Sequence, residues 1–218
     1  MLRFRNDYIS KMLSKGTFYE SHITDAILRW QLKYGGDILD LGVNIGSVLI
    51  PVAAFCKECN VIGIEMVPET FRKAKTNVEI NRLEENTILF NKALVRNNSK
   101  KFVYFQKNIE NMGGNFVNET IINGGNKIET TTLDSLQDLI KNVKVMKMDI
   151  EGSEMSAMEG GMEWLSNHPP CVIIMEATKI NSTNMKMVLH KKGFKLSKEK
   201  VWSRSRNIIF KNNGCIND

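Results

Sequence analysis

The sequence lacks several features that would have set its class at once. No apolar stretch can span a bilayer as a helix. The longest, Leu39 to Cys56, is interrupted by Asp40, two glycines and a proline. The first ten residues, MLRFRNDYIS, alternate charge with apolar side chains. They hold no hydrophobic segment of about 7–15 residues, so no signal peptide is read there and a cytosolic protein is expected. Cysteine is scarce. Cys56 and Cys59 form a CxxC, but no second ligand pair stands at a spacing that completes a zinc site. The pair also closes an apolar helical stretch, VLIPVAAFCKEC, whereas a redox motif opens a helix. Cys56, Cys59, Cys171 and Cys215 are therefore expected as thiols. Of three histidines, His22 and His168 lie nearest to plausible site loops, and His168 in NHPP reads as part of a helix-ending turn.

A chain of 218 residues, 42% hydrophobic and 25% charged, is long enough for one ordinary α/β core and short for two. One domain over 1–218 is expected, with 1–36 as an N-terminal helical cap segment. The net charge of +6 is unevenly spread: residues 1–36 carry +3, 37–178 carry −5 and 179–218 carry +8. A basic end can meet an anionic partner. Its aromatic residues are only Phe194, Trp202 and Phe210, too few for a base-stacking platform, so nucleic acid is not the expected partner.

Short β-rich runs alternate with amphipathic stretches. Strands are expected at Asp37–Leu41, Asn60–Ile64, Thr87–Phe90, Phe102–Gln106, Lys127–Thr132, Val143–Met148 and Cys171–Met175. A final hairpin is expected at Phe194–Val201 and Arg206–Lys211. Helices are expected from Thr24, over Glu69–Asn81 behind Pro68, over Leu133–Ile140, from Ser153 to Leu165, and over Met185–Lys192. Such alternation, closed by an antiparallel pair, means a mostly parallel, doubly wound sheet with helices on both faces.

Two segments carry chemistry. The first is the loop Asp40-Leu-Gly42-Val-Asn44-Ile-Gly46, at the carboxyl end of the first strand, where open α/β sheets bind ligands. Its spacing is not G-x-G-x-x-G, and it has no phosphate-binding lysine. Asp40 would repel a pyrophosphate but suits a cationic group such as an α-ammonium. Glu65, 25 residues later at the end of the second strand, can accept both hydroxyls of a ribose. Acid, glycine loop and second acid describe an S-adenosylmethionine site better than a dinucleotide site. The second segment is Lys147-Met-Asp149-Ile-Glu151-Gly-Ser-Glu154. Strand alternation puts Lys147 and Asp149 on one face, Glu151 at the turn follows, and Glu176 closes the fifth strand at the same rim. Glu154 suits a first helical turn, where the dipole favours an acid. The pair Tyr19-Glu20 is placed where it can fold over the cofactor.

DLGVNIG, VIGIEMVPE and KMDIEGSEMSAMEGG together resemble the FkbM family of S-adenosylmethionine-dependent methyltransferases, over roughly residues 16–211. One departure is Val43, where that family commonly has a small residue. The resemblance implies the Rossmann-like class I methyltransferase fold with a seven-stranded sheet, and O-methylation of a hydroxyl on a sugar, glycan or natural-product scaffold. By similarity Asp40, Gly42, Asn44 and Gly46 hold the methionine end of the cofactor, Glu65 the ribose, and Asn91 lies near the adenine. A sugar hydroxyl needs help to lose its proton. Asp149 or Glu151 is the expected base, with Lys147 steadying the carboxylates and the developing alkoxide. In a second arrangement Asp149 and Glu176 hold Mg²⁺ or Mn²⁺, as in divalent-ion-dependent O-methyltransferases, although those carry Asp-Asn where this chain has Glu176-Ala177. Ribose 2′-O-methylation of RNA and a non-catalytic cofactor-binding module are the competing functions.

Overall fold

Runs such as DILDL, VIGI, VKVMKM and VIIME lack the alternation of a half-solvated strand, and they pair as strands buried on both faces. The computed structural model describes residues 20–105, 117–118, 126–176, 182–199 and 207–215. The readings on Tyr19, Gln106, most of the 108–126 loop, Ala177 and Trp202 lie outside the described residues. The first half contains α1 (Ser21–Tyr34), β1 (Asp37–Leu41), α2 (Leu49–Phe55), β2 (Val61–Ile64), α3 (Pro68–Ile80) and β3 (Thr87–Phe90). Four strands then form a small sheet: β4 (Ala93–Leu94), β5 (Phe102–Phe105), β6 (Val117–Asn118) and β7 (Asn126–Thr131). A 3₁₀ turn (Asp134–Leu136) leads into α4 (Gln137–Ile140), β8 (Val143–Met148), α5 (Glu154–Glu159) and α6 (Met162–Asn167). β9 (Val172–Glu176), α7 (Ser182–Lys191), β10 (Phe194–Leu196) and β11 (Asn207–Asn212) complete the order.

The main sheet has seven strands in the order β10-β11-β9-β8-β1-β2-β3. Only β11 runs against its neighbours, so the expected doubly wound sheet with a C-terminal antiparallel hairpin is present. Strand alternation splits the core between the two faces. Ile38, Val61, Val145, Val172 and Ile174 pack under Ile23 and Ile27 of α1, Leu49 and Val52 of α2, and Ala74 and Val78 of α3. Leu39, Ile62, Met146, Ile173 and Met175 face Ile140, Met158, Trp164, Leu165 and Leu189. Val43, the departure noted above, is buried and lies directly over Gly63, where any added side-chain carbon would collide with it. The missing side chain in β2 makes room for the valine.

Two expectations need correction. The helix expected over Ser153–Leu165 is two helices, α5 and α6, broken at Gly160-Gly161. Gly160 lies against the Val95 carbonyl too closely for a Cβ, and its own carbonyl accepts from Asp134 N–H (2.9 Å). Asp134 in turn accepts from Trp164 N–H (2.8 Å), satisfying an amide in the first turn of α6. The cysteines, expected as thiols, are paired: Cys56 with Cys59 and Cys171 with Cys215, with Cα separations of 5.7 and 5.5 Å. The apolar helix ends at Phe55, so the CxxC occupies a turn in which both side chains can meet. The second pair ties the chain just before β9 to the residues that follow β11. Disulfides persist in oxidising compartments and are rare in the reducing cytosol, which weighs against the cytosolic expectation. No described helix is long and apolar enough to cross a membrane.

Candidate active site

The chain leaves β1 toward β2 and β3 on one side and returns through β8 and β9 on the other. The carboxyl ends of β1 and β8 therefore form the point where strand order reverses, the usual crevice for ligands in such sheets. Register sets Asp40 directly beside Lys147 there. Both are nearly sealed, at 1% and 6% exposure, and the lysine Nζ donates to Asp40 Oδ1 (3.1 Å) and to the Gly42 carbonyl (3.2 Å). Burial alone would lower the Lys147 pKa. The carboxylates of Asp40, Asp149 and Glu20 outweigh it and raise the pKa above the ordinary value, so the ammonium stays charged. Asp40 Oδ2 is buried and has no hydrogen-bond partner among the described residues.

The loop beyond β1 closes on itself. Gly42 and Val43 donate to the Ile64 carbonyl, Asn44 N–H to Glu65 Oε2 (2.9 Å), Ile45 N–H to Asn44 Oδ1 (2.7 Å), and Gly46 N–H to the Val43 carbonyl (3.0 Å). Helix α2 starts only at Leu49. With amides 42–46 committed inside the protein, the loop has no nest for a phosphate. Gly42 has φ +87°, and a Cβ there would penetrate the Asp149 carbonyl oxygen. Gly42→Ala therefore has to push β1 and β8 apart. We expect a loss of more than about 4 kcal/mol in stability, seen as failure to give a cooperative melt.

Glu65 follows β2 with both carboxylate oxygens engaged, by Asn44 N–H and by Val67 N–H (2.8 Å). Burial pushes its carboxyl up, opposed by those two amides. Asn91 donates to the carbonyls of Glu65 (2.8 Å) and Met66 (3.0 Å), so its amide group steadies the Glu65 turn from β3. Asn77, fully buried in α3, does the same for the glycine loop by donating to the Ile45 carbonyl (2.8 Å). Sequence reading missed it, although the signal was there. A polar residue sits on the face that buries Thr70, Ala74 and Val78.

Past β8, Asp149 N–H donates to the Leu41 carbonyl (2.9 Å), and the chain turns through Glu151 (φ +52°) and Gly152. Glu154, 3% exposed, closes this turn: its Oε1 accepts from Ile150 and Gly152 N–H, both at 3.2 Å. It acts on the turn and not only on the helix dipole. Glu151 stays partly exposed. Burial, then Asp149, Glu176 and Glu154, push its carboxyl up to about 7 against the pull of Lys147. Glu176 ends β9 on the same rim. Glu20, just before α1, joins the group. Burial, then Asp149, Asp40 and Glu176, push it up to about 7, again against Lys147. His168 terminates α6 as expected, its N–H donating to the Trp164 carbonyl (2.7 Å).

The family model for the methyltransferase FkbM domain matches residues 40–196, which begins at Asp40 and takes in every acid of the β8 turn. The chain belongs to the FkbM methyltransferase family. No curated protein matches it. Among solved structures, this FkbM domain is similar to magnesium protoporphyrin IX methyltransferase (ChlM) from Synechocystis PCC 6803 with bound SAM. The two are 13% identical with a TM-score of 0.54, over 97% of this chain and 86% of that one. It is also similar to precorrin-6y C5,15-methyltransferase from Geobacter metallireducens GS-15, at 13% identity and TM-score 0.52, over 87% and 86% of the two chains. The METTL16 MTase domain is 12% identical with TM-score 0.51, over 95% of this chain and 69% of that one. At such identities the likeness is one of fold.

Among the described residues no group of three or more His, Cys, Asp or Glu side chains is placed to hold a metal ion. The Mg²⁺ or Mn²⁺ expectation is not carried further.

Proposed function

We propose that this FkbM domain transfers a methyl group from S-adenosylmethionine to a hydroxyl of a sugar, glycan or similar small scaffold. The observation that carries the donor half is Asp40. One carboxylate oxygen is fixed by Lys147 and the other is buried without a hydrogen-bond partner among the described residues, at the strand-order reversal. A buried acceptor oxygen with no donor suits the α-ammonium of the cofactor. Asp40, Gly42, Asn44 and Gly46 shape its methionine end, and Glu65 takes the ribose hydroxyls. When bound, the cofactor supplies an electrophilic methyl carbon on a cationic sulfonium.

The rest is positioning and proton handling by the protein. The acidic rim of Asp149, Glu151 and Glu176 favours a positively charged donor over an anionic nucleotide. Glu151, partly exposed with a pKa near neutrality, takes the hydroxyl proton. Asp149 stands two residues from each of Lys147 and Glu151, just past the end of β8. Two of the three Lys147 ammonium hydrogens point to Asp40 and Gly42, so Lys147 serves the donor side.

Calorimetry with S-adenosylmethionine and transfer of a labelled methyl group to a panel of pyranosides, with and without EDTA, test this reading. Binding plus labelled glycoside, indifferent to chelator, is expected. Label in short RNA but in no glycoside would replace the acceptor, and failure to bind the donor would leave a non-catalytic module.

A further inference from the structure

We infer that Glu20 is a specificity-determining residue of the transfer site, its carboxyl accepting a hydrogen bond from a second acceptor hydroxyl beside the one that is methylated. This rests on the O-methyl-transfer reading above. Glu20 lies outside the matched residues 40–196, so nothing in the family match assigns it.

Chain geometry brings it there. Helix α1 has 14 residues, about 21 Å at 1.5 Å per residue. Only Gly35 and Gly36 separate it from β1, so it runs back along the sheet and its N-terminal end reaches the level of the β1 carboxyl end. Ile23, Ala26 and Ile27 clamp it onto Ile38, Val145, Val172 and Ile174, which makes its position a property of the core. An acid at the residue before a helix normally accepts an amide of the first turn. Here the Glu20 backbone carbonyl takes that role, accepting from Ile23 (2.8 Å) and Thr24 (3.3 Å) N–H, and the carboxyl makes no cap. The residue holds the left-handed conformation, φ +53°, which costs a non-glycine side chain. The side chain is instead mostly buried within electrostatic reach of Lys147, Asp149, Asp40 and Glu176.

Two further observations fit a ligand at this point. Thr24, one turn along the same helix face, has a buried hydroxyl with no partner among the described residues, as has Asp40 Oδ2. Glu151 shares Asp149, Glu176 and Lys147 with Glu20 but has Glu154 where Glu20 has Asp40. Both carboxyls thus belong to the acidic rim, Glu151 at the turn before α5 and Glu20 at the N-terminal end of α1. An acceptor carrying adjacent hydroxyls meets both: one hydroxyl loses its proton to Glu151, and its neighbour is held by Glu20.

The test uses the full chain and a panel of methyl pyranosides, each compared with the analogue lacking one hydroxyl beside the methylated position. The wild type should prefer the intact diol by roughly 10–100-fold in kcat/KM, as for a hydrogen bond to a charged group. Glu20→Ala should lose this preference through KM. Glu20→Gln, which keeps an acceptor oxygen but not the charge, should retain a reduced preference, intermediate between wild type and Glu20→Ala. Glu20→Gly suits φ +53° and removes only the carboxyl, so it should behave like the alanine variant. Preference persisting in Glu20→Ala overturns the inference alone, as does a matching loss of S-adenosylmethionine affinity in calorimetry. A wild type that binds the donor yet methylates no pyranoside removes this inference together with the acceptor reading.

Discussion

Lys147→Met is expected to destabilise the protein by about 3–5 kcal/mol, the usual consequence of leaving one charge of a buried pair behind. Asp40 has 1% exposure, and its only hydrogen-bond partner among the described residues is the lysine. Burial already raises the folded-state pKa of Asp40 above its unfolded value of about 3.9 against the pull of Lys147, and loss of the lysine raises it further. The sign of the pH dependence follows. A raised carboxyl binds more protons folded than unfolded, so the variant is least impaired below pH 4 and loses stability as pH rises through the shifted pKa. Urea titrations at pH 4 and pH 8 should show a larger gap from wild type at pH 8. The double variant Asp40→Asn, Lys147→Met removes both charges and should recover most of the stability, yet it should not bind S-adenosylmethionine in calorimetry. A double variant that binds the donor normally would mean that Asp40 has no role in holding it.

This pair also marks how far the sequence could be read. Asp40 and Lys147 were each visible near strand tips, as the fourth residue of DILDL and the fifth of VKVMKM. That they are register partners depends on β8 pairing with β1, a contact between residues 107 positions apart that no local pattern encodes. Lys147 was accordingly assigned to the acids that follow it in sequence, whereas the fold turns it to Asp40 and Gly42. Glu154 shows the same limit. A helix-dipole role is legible from its position, but its bonds to Ile150 and Gly152 N–H require the turn that Glu151 and Gly152 make with positive φ. The break at Gly160-Gly161 was hidden because its cause, the Val95 carbonyl, belongs to the chain beside β4, a two-residue strand too short to leave a pattern. The Cys171–Cys215 disulfide was hidden for a related reason, since the two cysteines meet only once β11 pairs with β9.

Glu151→Gln is the substitution that bears on the chemistry itself. If Glu151 takes the hydroxyl proton, its loss should lower kcat by about 10²–10⁴-fold while donor affinity holds, since general-base contributions fall in that range. The wild-type rate should climb with pH through about 7, where the carboxyl ionises, and then level off. The Gln variant should lack this limb. Glu20 titrates in the same range, so the limb is read from the difference between wild type and variant. Stability should move the other way. The Glu151 pKa is raised by folding, so its contribution is full below the unfolded value of about 4.3 and is lost as pH rises through about 7. Above neutrality the Gln variant should therefore melt slightly higher than wild type while turning over far more slowly. That opposition is the signature of a group held in an environment that resists its working charge state. A structural carboxylate with no proton to move would change melting without the rate limb, and a base located elsewhere on the rim would leave both the limb and kcat in place.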